Sequence, residues 1–255
     1  MITALAPRLE CEGLSKAFNG LKAVSDVTLC LSGPGVVGLI GPNGAGKTTL
    51  LDLLTGFTEA DEGRWWIDGT DVSRSTTKQI VGHGVVRSFQ YPRLVGGLSA
   101  LENVLLAAPI SRNKSFLGAF WAASITKTSE DRERDEAKRL LEWTGLASHA
   151  TKPASALSYG QQKLLALCCC LATKAQIVLL DEPVAGIHPA LVSEIIERIR
   201  EMSRRGHLVL VIEHNLDAIR AVAEHLLVMD RGRLIAEGPV EDVLLRKEVL
   251  DAYLR

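Results

Sequence analysis

Gly41-Pro42-Asn43-Gly44-Ala45-Gly46-Lys47-Thr48 fits the pattern G-x-x-x-x-G-K-[ST] at every fixed position. With glycine near ~7% of residues, a chance match in a chain of 255 residues is on the order of one in a hundred. The flanks agree with the pattern. The apolar run Val36-Val37-Gly38-Leu39-Ile40 before it suits a strand covered on both faces, and Thr49-Leu50-Leu51-Asp52-Leu53-Leu54 after it suits a helix. In such a turn the glycines let backbone N–H groups point inward around phosphate oxygens, at the positive end of the following helix. Lys47 would then reach the β- and γ-phosphates of a nucleotide, and the Thr48 hydroxyl would ligate Mg²⁺.

The complement of this loop lies in Ile177-Val178-Leu179-Leu180-Asp181-Glu182. An apolar strand delivers two carboxylates at its C-terminal end, where open α/β sheets place their ligands. Asp181 would hold Mg²⁺, directly or through water, and Glu182 would polarise the attacking water. Two acids after a strand mean little alone. Beside a phosphate loop they complete a nucleotide-hydrolysing site.

Leu157-Ser158-Tyr159-Gly160-Gln161 has a plain reading as a helix start, because Ser158 and Gln161 form an S-x-x-Q capping box. The same helix start, with Gly160 permitting close approach, also offers N–H groups to a phosphate. Located between a phosphate loop and a strand ending in Asp-Glu, this segment resembles the signature motif of ATP-binding cassette (ABC) ATPases.

The resemblance covers nearly the whole chain. It implies that Phe18 stacks on adenine and that Gln90 senses Mg²⁺ and water and links two lobes. It implies that Ala185-Gly186-Ile187-His188 is the loop that crosses to a partner subunit and that His214 contacts the γ-phosphate. The ATP site so implied comprises Phe18 and Gly41, Pro42, Asn43, Gly44, Ala45, Gly46, Lys47, Thr48 and Thr49. The catalytic set is Glu182, His214 and Gln90, with Thr48, Gln90 and Asp181 at the metal. Ser158, Tyr159, Gly160 and Gln161 would meet the ATP of a second subunit.

Within the family, the chain is most similar to the ATPase subunits of branched-chain amino acid importers. The similar stretches are Leu53-Leu54-Thr55-Gly56-Phe57, Val86-Arg87-Ser88-Phe89-Gln90, Leu98-Ser99-Ala100-Leu101-Glu102-Asn103-Val104 and the ending Ala252-Tyr253-Leu254. Subunits of urea and short-amide importers share much of this. Three positions depart from the family pattern. Ala166 and Cys169 stand where Glu and Arg are usual in the signature helix, and His188 replaces the usual Asn or Asp of the crossing loop.

Around these motifs, the first part of the chain reads as β-rich and the last third as alternating strand and helix. Val27, Leu29 and Leu31 alternate with Thr28 and Cys30, and Arg64-Trp65-Trp66-Ile67 stops at the turn pair Asp68-Gly69. A charged helix is expected over 129–143, with Glu130/Arg134 and Asp135/Arg139 at i,i+4 spacing and Gly145 as its stop. Phe116, Leu117, Phe120 and Trp121 form an apolar helical face, expected to pack inside the helical lobe or, as the second reading, to dock on a membrane subunit. Leu191, Ile195, Ile199 and Met202 stripe a helix between strands at 177–180 and 208–212, and a further strand covers Leu226-Leu227-Val228-Met229. Such alternation implies a parallel sheet with right-handed crossovers.

The expected fold is therefore α/β: a P-loop NTPase core with a mostly parallel sheet, an antiparallel β-subdomain and an inserted helical lobe. One ABC ATPase domain spans 1–255, with the core in 1–96 and 174–255 and the lobe in 97–173. The expected reaction is ATP plus water to ADP and phosphate, coupled to transport. Expected partners are integral-membrane permeases, a second ABC ATPase subunit of the same or a related kind and, indirectly, an extracytoplasmic solute-binding protein.

Composition bounds the rivals. A formal net charge of -1 and the absence of long Lys/Arg runs remove the footprint of a nucleic-acid binder. Relatives in DNA repair or translation carry two cassettes or a long coiled coil, and this chain has neither. A module that only holds ATP would not need both Glu182 and His214. Five cysteines, an odd number with no C-x-x-C spacing, oppose a disulfide framework or a zinc site. No uncharged apolar run reaches the ~18 residues of a membrane span, so the expected place is the cytoplasmic face of the membrane, held there by other chains.

Overall fold

The computed structural model describes residues 6–109 and 123–253, with the backbone alone over 123–130. The apolar face expected at Phe116, Leu117, Phe120 and Trp121 lies outside the described residues. Contacts divide the chain into two units, Met1–Gln90 with Ala175–Arg255, and Tyr91–Lys174.

In the first unit, β1 (Arg8–Phe18) and β2 (Leu21–Ser32) form an antiparallel hairpin. Its turn is Asn19-Gly20, both at positive φ (49° and 85°), the conformation that favours an Asn-Gly pair between strands. Phe18 is thus the last residue of a strand rather than part of a loop, with its ring 48% exposed. β2 alternates as expected, with Val27, Leu29 and Leu31 buried and Thr28 and Cys30 exposed. β4 (Glu62–Ile67) and β5 (Thr70–Asp71) complete an antiparallel sheet of order β2-β1-β4-β5.

The larger sheet runs β10-β9-β3-β8-β7-β6 and positions the site. Its strands are β3 (Gly35–Ile40), β6 (Val85–Arg87), β7 (Ile177–Asp181), β8 (Leu208–Ile212), β9 (His225–Asp230) and β10 (Arg233–Pro239). All neighbours are parallel except β9 and β10. Burial on both faces explains why β3, β7 and β8 are near-continuous apolar runs. One face packs Val37, Leu39, Leu179 and Leu210 with Leu50, Leu51 and Leu54 of α1 (Lys47–Leu54), together with Leu9, Leu29 and Ile67 of the antiparallel sheet. The other face packs Ile40, Leu226 and Val228 against Ile219 of α7 (Leu216–Val222) and Val243 of α8 (Val240–Leu244). α2 (Thr77–Gly82) and α9 (Lys247–Tyr253) are short. On α6 (Pro189–Arg204) Ile195, Ile199 and Met202 are buried, at roughly 1.5–3 kcal/mol each, while Leu191 is half-buried at its start.

Among the described residues, the second unit holds α3 (Ala100–Ala107), α4 (Ala123–Trp143), α5 (Tyr159–Ala172) and short 3₁₀ turns. α4 begins before the expected residue 129; among the described side chains Asp135 pairs with Lys138 (3.4 Å), one position short of Arg139, and the expected partner of Arg134, Glu130, lies outside them. The unit starts at Tyr91, ahead of the expected 97, because its first residues bond within it. Asn103, buried on α3, accepts from the Val95 N–H and donates to the carbonyls of Val95, Leu98 and Ser99. The Ser155 N–H donates to the Gly96 carbonyl. Among the described residues, no helix is long and apolar enough to cross a membrane.

The cysteines behave as small apolar residues. Cys168 and Cys170 are buried and all five are free; burial pushes the Cys170 thiol up to about 12 and Cys169 higher still.

Candidate active site

Register brings the motifs together. Leu39 of β3 pairs with Ile212 of β8, which pairs with Asp181 of β7, so the three strands end level with one another. The loops leaving them carry Gly41 to Lys47, then Glu182, then His214. This is the carboxyl edge at which parallel sheets bind ligands.

Between the end of β3 and the start of α1 the chain turns through glycines at positive φ, Gly44 (78°) and Gly46 (98°) among them. Gly46 is the N-cap of α1 at φ +98°, and no side chain caps that helix, so its first N–H groups have no side-chain acceptor. Lys47 is buried and curls back, its Nζ donating to the carbonyls of Gly41 (2.7 Å) and Pro42 (3.0 Å). Burial lowers its pKa below the usual lysine range, while Glu182 and Asp181 pull it upward. A cavity of about 360 Å³ opens beside the loop, lined by Asn43, Gly44, Lys47, Thr48, Glu182 and His214 among others. An ideal Cβ on Gly44 would meet nothing within 4 Å, leaving a backbone cradle open to a ligand.

Glu182 sits between the two other expected catalytic residues. Gln90 Nε2 donates to its Oε2 at 2.6 Å, and His214 Nε2 lies 2.6 Å from its Oε1. Its backbone is left-handed (φ 48°), a conformation costing about 1–3 kcal/mol in a residue other than glycine and one that gathers at functional sites. The Glu182 N–H donates to the Ile212 carbonyl, tying the β7 and β8 loops together at that point.

Asp181 is buried and pairs with Arg87, whose second nitrogen reaches Asp52. Glu213, also buried, accepts from the N–H of Val184 (2.7 Å) and of His214 (3.3 Å), joining the two loops beside Glu182. Arg87, Asp52 and Glu213 join the site through contacts distant in sequence or outside any motif. Asp52 carried a usable signal, since it lies one helical turn after Thr48 and so on the same face of α1.

Phe18 does not line the cavity; Ala23, further along β2, does. Ser158, Tyr159, Gly160 and Gln161 belong to the second unit, at the start of α5. The capping box is formed there: Ser158 Oγ accepts from the Gln161 N–H (3.3 Å), and Gln161 Oε1 accepts from the Ser158 N–H (2.9 Å). His188 caps α6, its Nδ1 accepting from the Ala190 N–H (3.3 Å), so the imidazole performs the capping usual for Asn or Asp.

The sequence profile of the family described as ABC transporter matches residues 24–185. The chain belongs to the ABC transporter family.

Relatives within the family extend the match to both ends. A high-affinity branched-chain amino acid transport ATP-binding protein, BraF of Pseudomonas aeruginosa, is 36% identical over 249 residues, covering 97% of this chain and 98% of that protein. LivG of Archaeoglobus fulgidus, a probable branched-chain amino acid transport ATP-binding protein, is 35% identical over 96% of this chain and 95% of its own. The crystal structure of a nucleotide-free ATP-binding cassette from an ABC transporter superposes with a TM-score of 0.83 at 33% identity, covering 97% of this chain and 98% of that one. A cassette in its ADP conformation gives the same TM-score at 32% identity. This ABC-family chain is accordingly a nucleotide-binding ATPase with the cassette fold.

Proposed function

We propose that this chain is the ATP-hydrolysing subunit of a membrane importer for branched-chain amino acids. The observation that carries the hydrolytic part is the Glu182 carboxylate held between Gln90 and His214 at the edge of the phosphate-loop cavity. The solute is supported by full-length relatives named for branched-chain amino acid transport.

In this reading the triphosphate enters the cavity beside Gly44 and Gly46. The Lys47 ammonium leaves its two loop carbonyls for the phosphates, and the uncapped N–H groups of α1 face the same charge. Mg²⁺ fits the donors at hand: the Thr48 hydroxyl, the Asp181 carboxylate and the Gln90 amide oxygen are hard oxygen ligands. When bound, the ion would neutralise charge on the β- and γ-phosphates. Glu182 orients the attacking water and draws its proton, with Gln90 fixing one carboxylate oxygen and His214 the other until the γ-phosphate arrives. Ser158, Gly160 and Gln161 close on the ATP of a second cassette, of the same or a related kind, and the helical unit passes that closure to the permeases. The chain sits peripherally on the cytoplasmic face of the membrane.

Deleting the chain should abolish uptake of radiolabelled leucine, isoleucine and valine by intact cells. Normal leucine uptake with loss of urea or short-amide uptake would reassign the solute and leave the ATPase reading standing.

Phe18 is proposed to stack on adenine, on the strength of its exposed ring at the end of β1. Stacking of a base on an aromatic is worth roughly 1–3 kcal/mol, so Phe18→Ala should weaken ATP binding by about tenfold. Unchanged affinity in a calorimetric titration would remove Phe18 from the site.

A further inference from the structure

We propose that Arg87 is a positioning residue for the metal site, acting as a bridge that fixes Asp181 relative to the helix carrying Thr48. The inference rests on the reading of Asp181 and Thr48 as Mg²⁺ ligands.

Arg87 ends β6, and its position is set by pairing with Leu179 of β7. Its guanidinium is almost fully buried, with 4% of the side chain exposed. Nη2 donates to Asp181 Oδ2 at 2.7 Å, while Nη1 donates to Asp52 Oδ1. The ring of Phe89 lies 5.2 Å from the guanidinium carbon and stacks edge-on against Phe57, shielding the group on that side. One cation thus spans two carboxylates from two elements.

The geometry gives the bridge a purpose beyond packing. Asp52 lies one turn below Thr48, so the two share a face of α1. Asp181 ends β7 at the sheet edge. Arg87 therefore joins the two elements that carry Thr48 and Asp181. By engaging Asp181 through Oδ2 it sets the rotation of the carboxylate, so that Oδ1 would be the oxygen left for the ion. The Ser88 hydroxyl, 3.4 Å from the Asp181 N–H, holds the backbone at the same point. Stability alone would not call for this arrangement, because burying ions is costly and an apolar side chain of similar size often serves equally well. A lysine would not replace it, since a single ammonium lacks the two-pronged fork.

The test is metal affinity rather than turnover. Mn²⁺ serves as the probe, titrated by electron paramagnetic resonance into the full chain loaded with ADP. Arg87→Met should weaken Mn²⁺ binding by about 10–100-fold, the range for loss of a group that orients a ligand. ADP affinity measured in EDTA should stay within about twofold, because Arg87 touches no nucleotide-binding group of the phosphate loop. Asp52→Asn, at a partly exposed carboxylate, releases only the α1 end and should weaken Mn²⁺ by about threefold or more. It decides the matter if circular dichroism shows Arg87→Met to be unfolded. Mn²⁺ affinity unchanged in folded Arg87→Met, or in Asp52→Asn where Arg87→Met is unfolded, overturns the bridge. Asp181→Asn separates the two levels: loss there with none in Arg87→Met overturns the bridge alone, and no loss in either overturns the metal reading as well.

Discussion

Glu182→Gln should lower ATP turnover by about 10²–10⁴-fold and leave ATP binding intact, the size of effect expected when a general base is removed. The amide keeps the length and the hydrogen-bonding reach of the carboxylate, so contacts to Gln90 and His214 persist in altered form. It cannot take a proton from water. Because Glu182 adjoins but does not replace Asp181, the proposed metal ligand is untouched: Asp181 ends β7, while Glu182 leaves the strand in a left-handed conformation. ATP should then accumulate unhydrolysed, and the closed dimer should appear by size-exclusion chromatography with ATP and Mg²⁺. Lys47→Ala should lose activity without such a dimer, because phosphate is no longer held. Near-normal turnover by purified Glu182→Gln protein would move the assignment to His214 or Gln90.

Gly46→Ala should be nearly as severe, for a different reason. A Cβ at Gly46 would stand 2.1 Å from the Ala23 carbonyl oxygen, and the residue holds φ +98°. Backbone atoms on both sides leave no side chain to yield. The loop has to shift, carrying Lys47 and the first N–H groups of α1 with it, and displacement of positioning groups by about 1 Å costs on the order of 10²-fold in rate. Gly44→Ala is the matched control: it has a similarly strained φ of +78°, but its Cβ meets nothing within 4 Å. Calorimetric titration with ATP should therefore show a much larger loss for Gly46→Ala than for Gly44→Ala. Equal losses would mean that backbone strain, rather than the close approach to Ala23, governs the loop.

What the sequence made legible was chemistry with a fixed local spacing. The phosphate loop, the buried strand before it, the Asp-Glu pair and the capping box all lie within short windows, and register then brings Glu182, Gln90 and His214 together. β1 escaped notice because its pairing is interrupted at Cys11/Leu14 and again at Leu14/Lys16, which breaks the alternation that reveals a strand. β10 is an edge strand whose apolar residues, Leu234-Ile235-Ala236, are consecutive and soon meet Gly238-Pro239, so they show no period-two alternation. The Arg87 bridge joins residues distant in sequence, 35 positions to Asp52 and 94 to Asp181, and no local pattern encodes such pairings.

The level ending of β3, β8 and β7 has a consequence for where this chain tolerates change in length. A strand advances about 3.3 Å per residue, and a shift of one residue turns each side chain to the opposite face. One residue gained or lost inside β7 or β8 would carry Glu182 or His214 beyond reach of a contact now made at 2.6 Å. Such events should be silent only where the chain turns away from that edge. The Asn19-Gly20 hairpin faces no such constraint on register across the larger sheet, since it joins strands of the other one. Grafted residues should therefore be accepted at turns of that kind and rejected inside β3, β7 and β8.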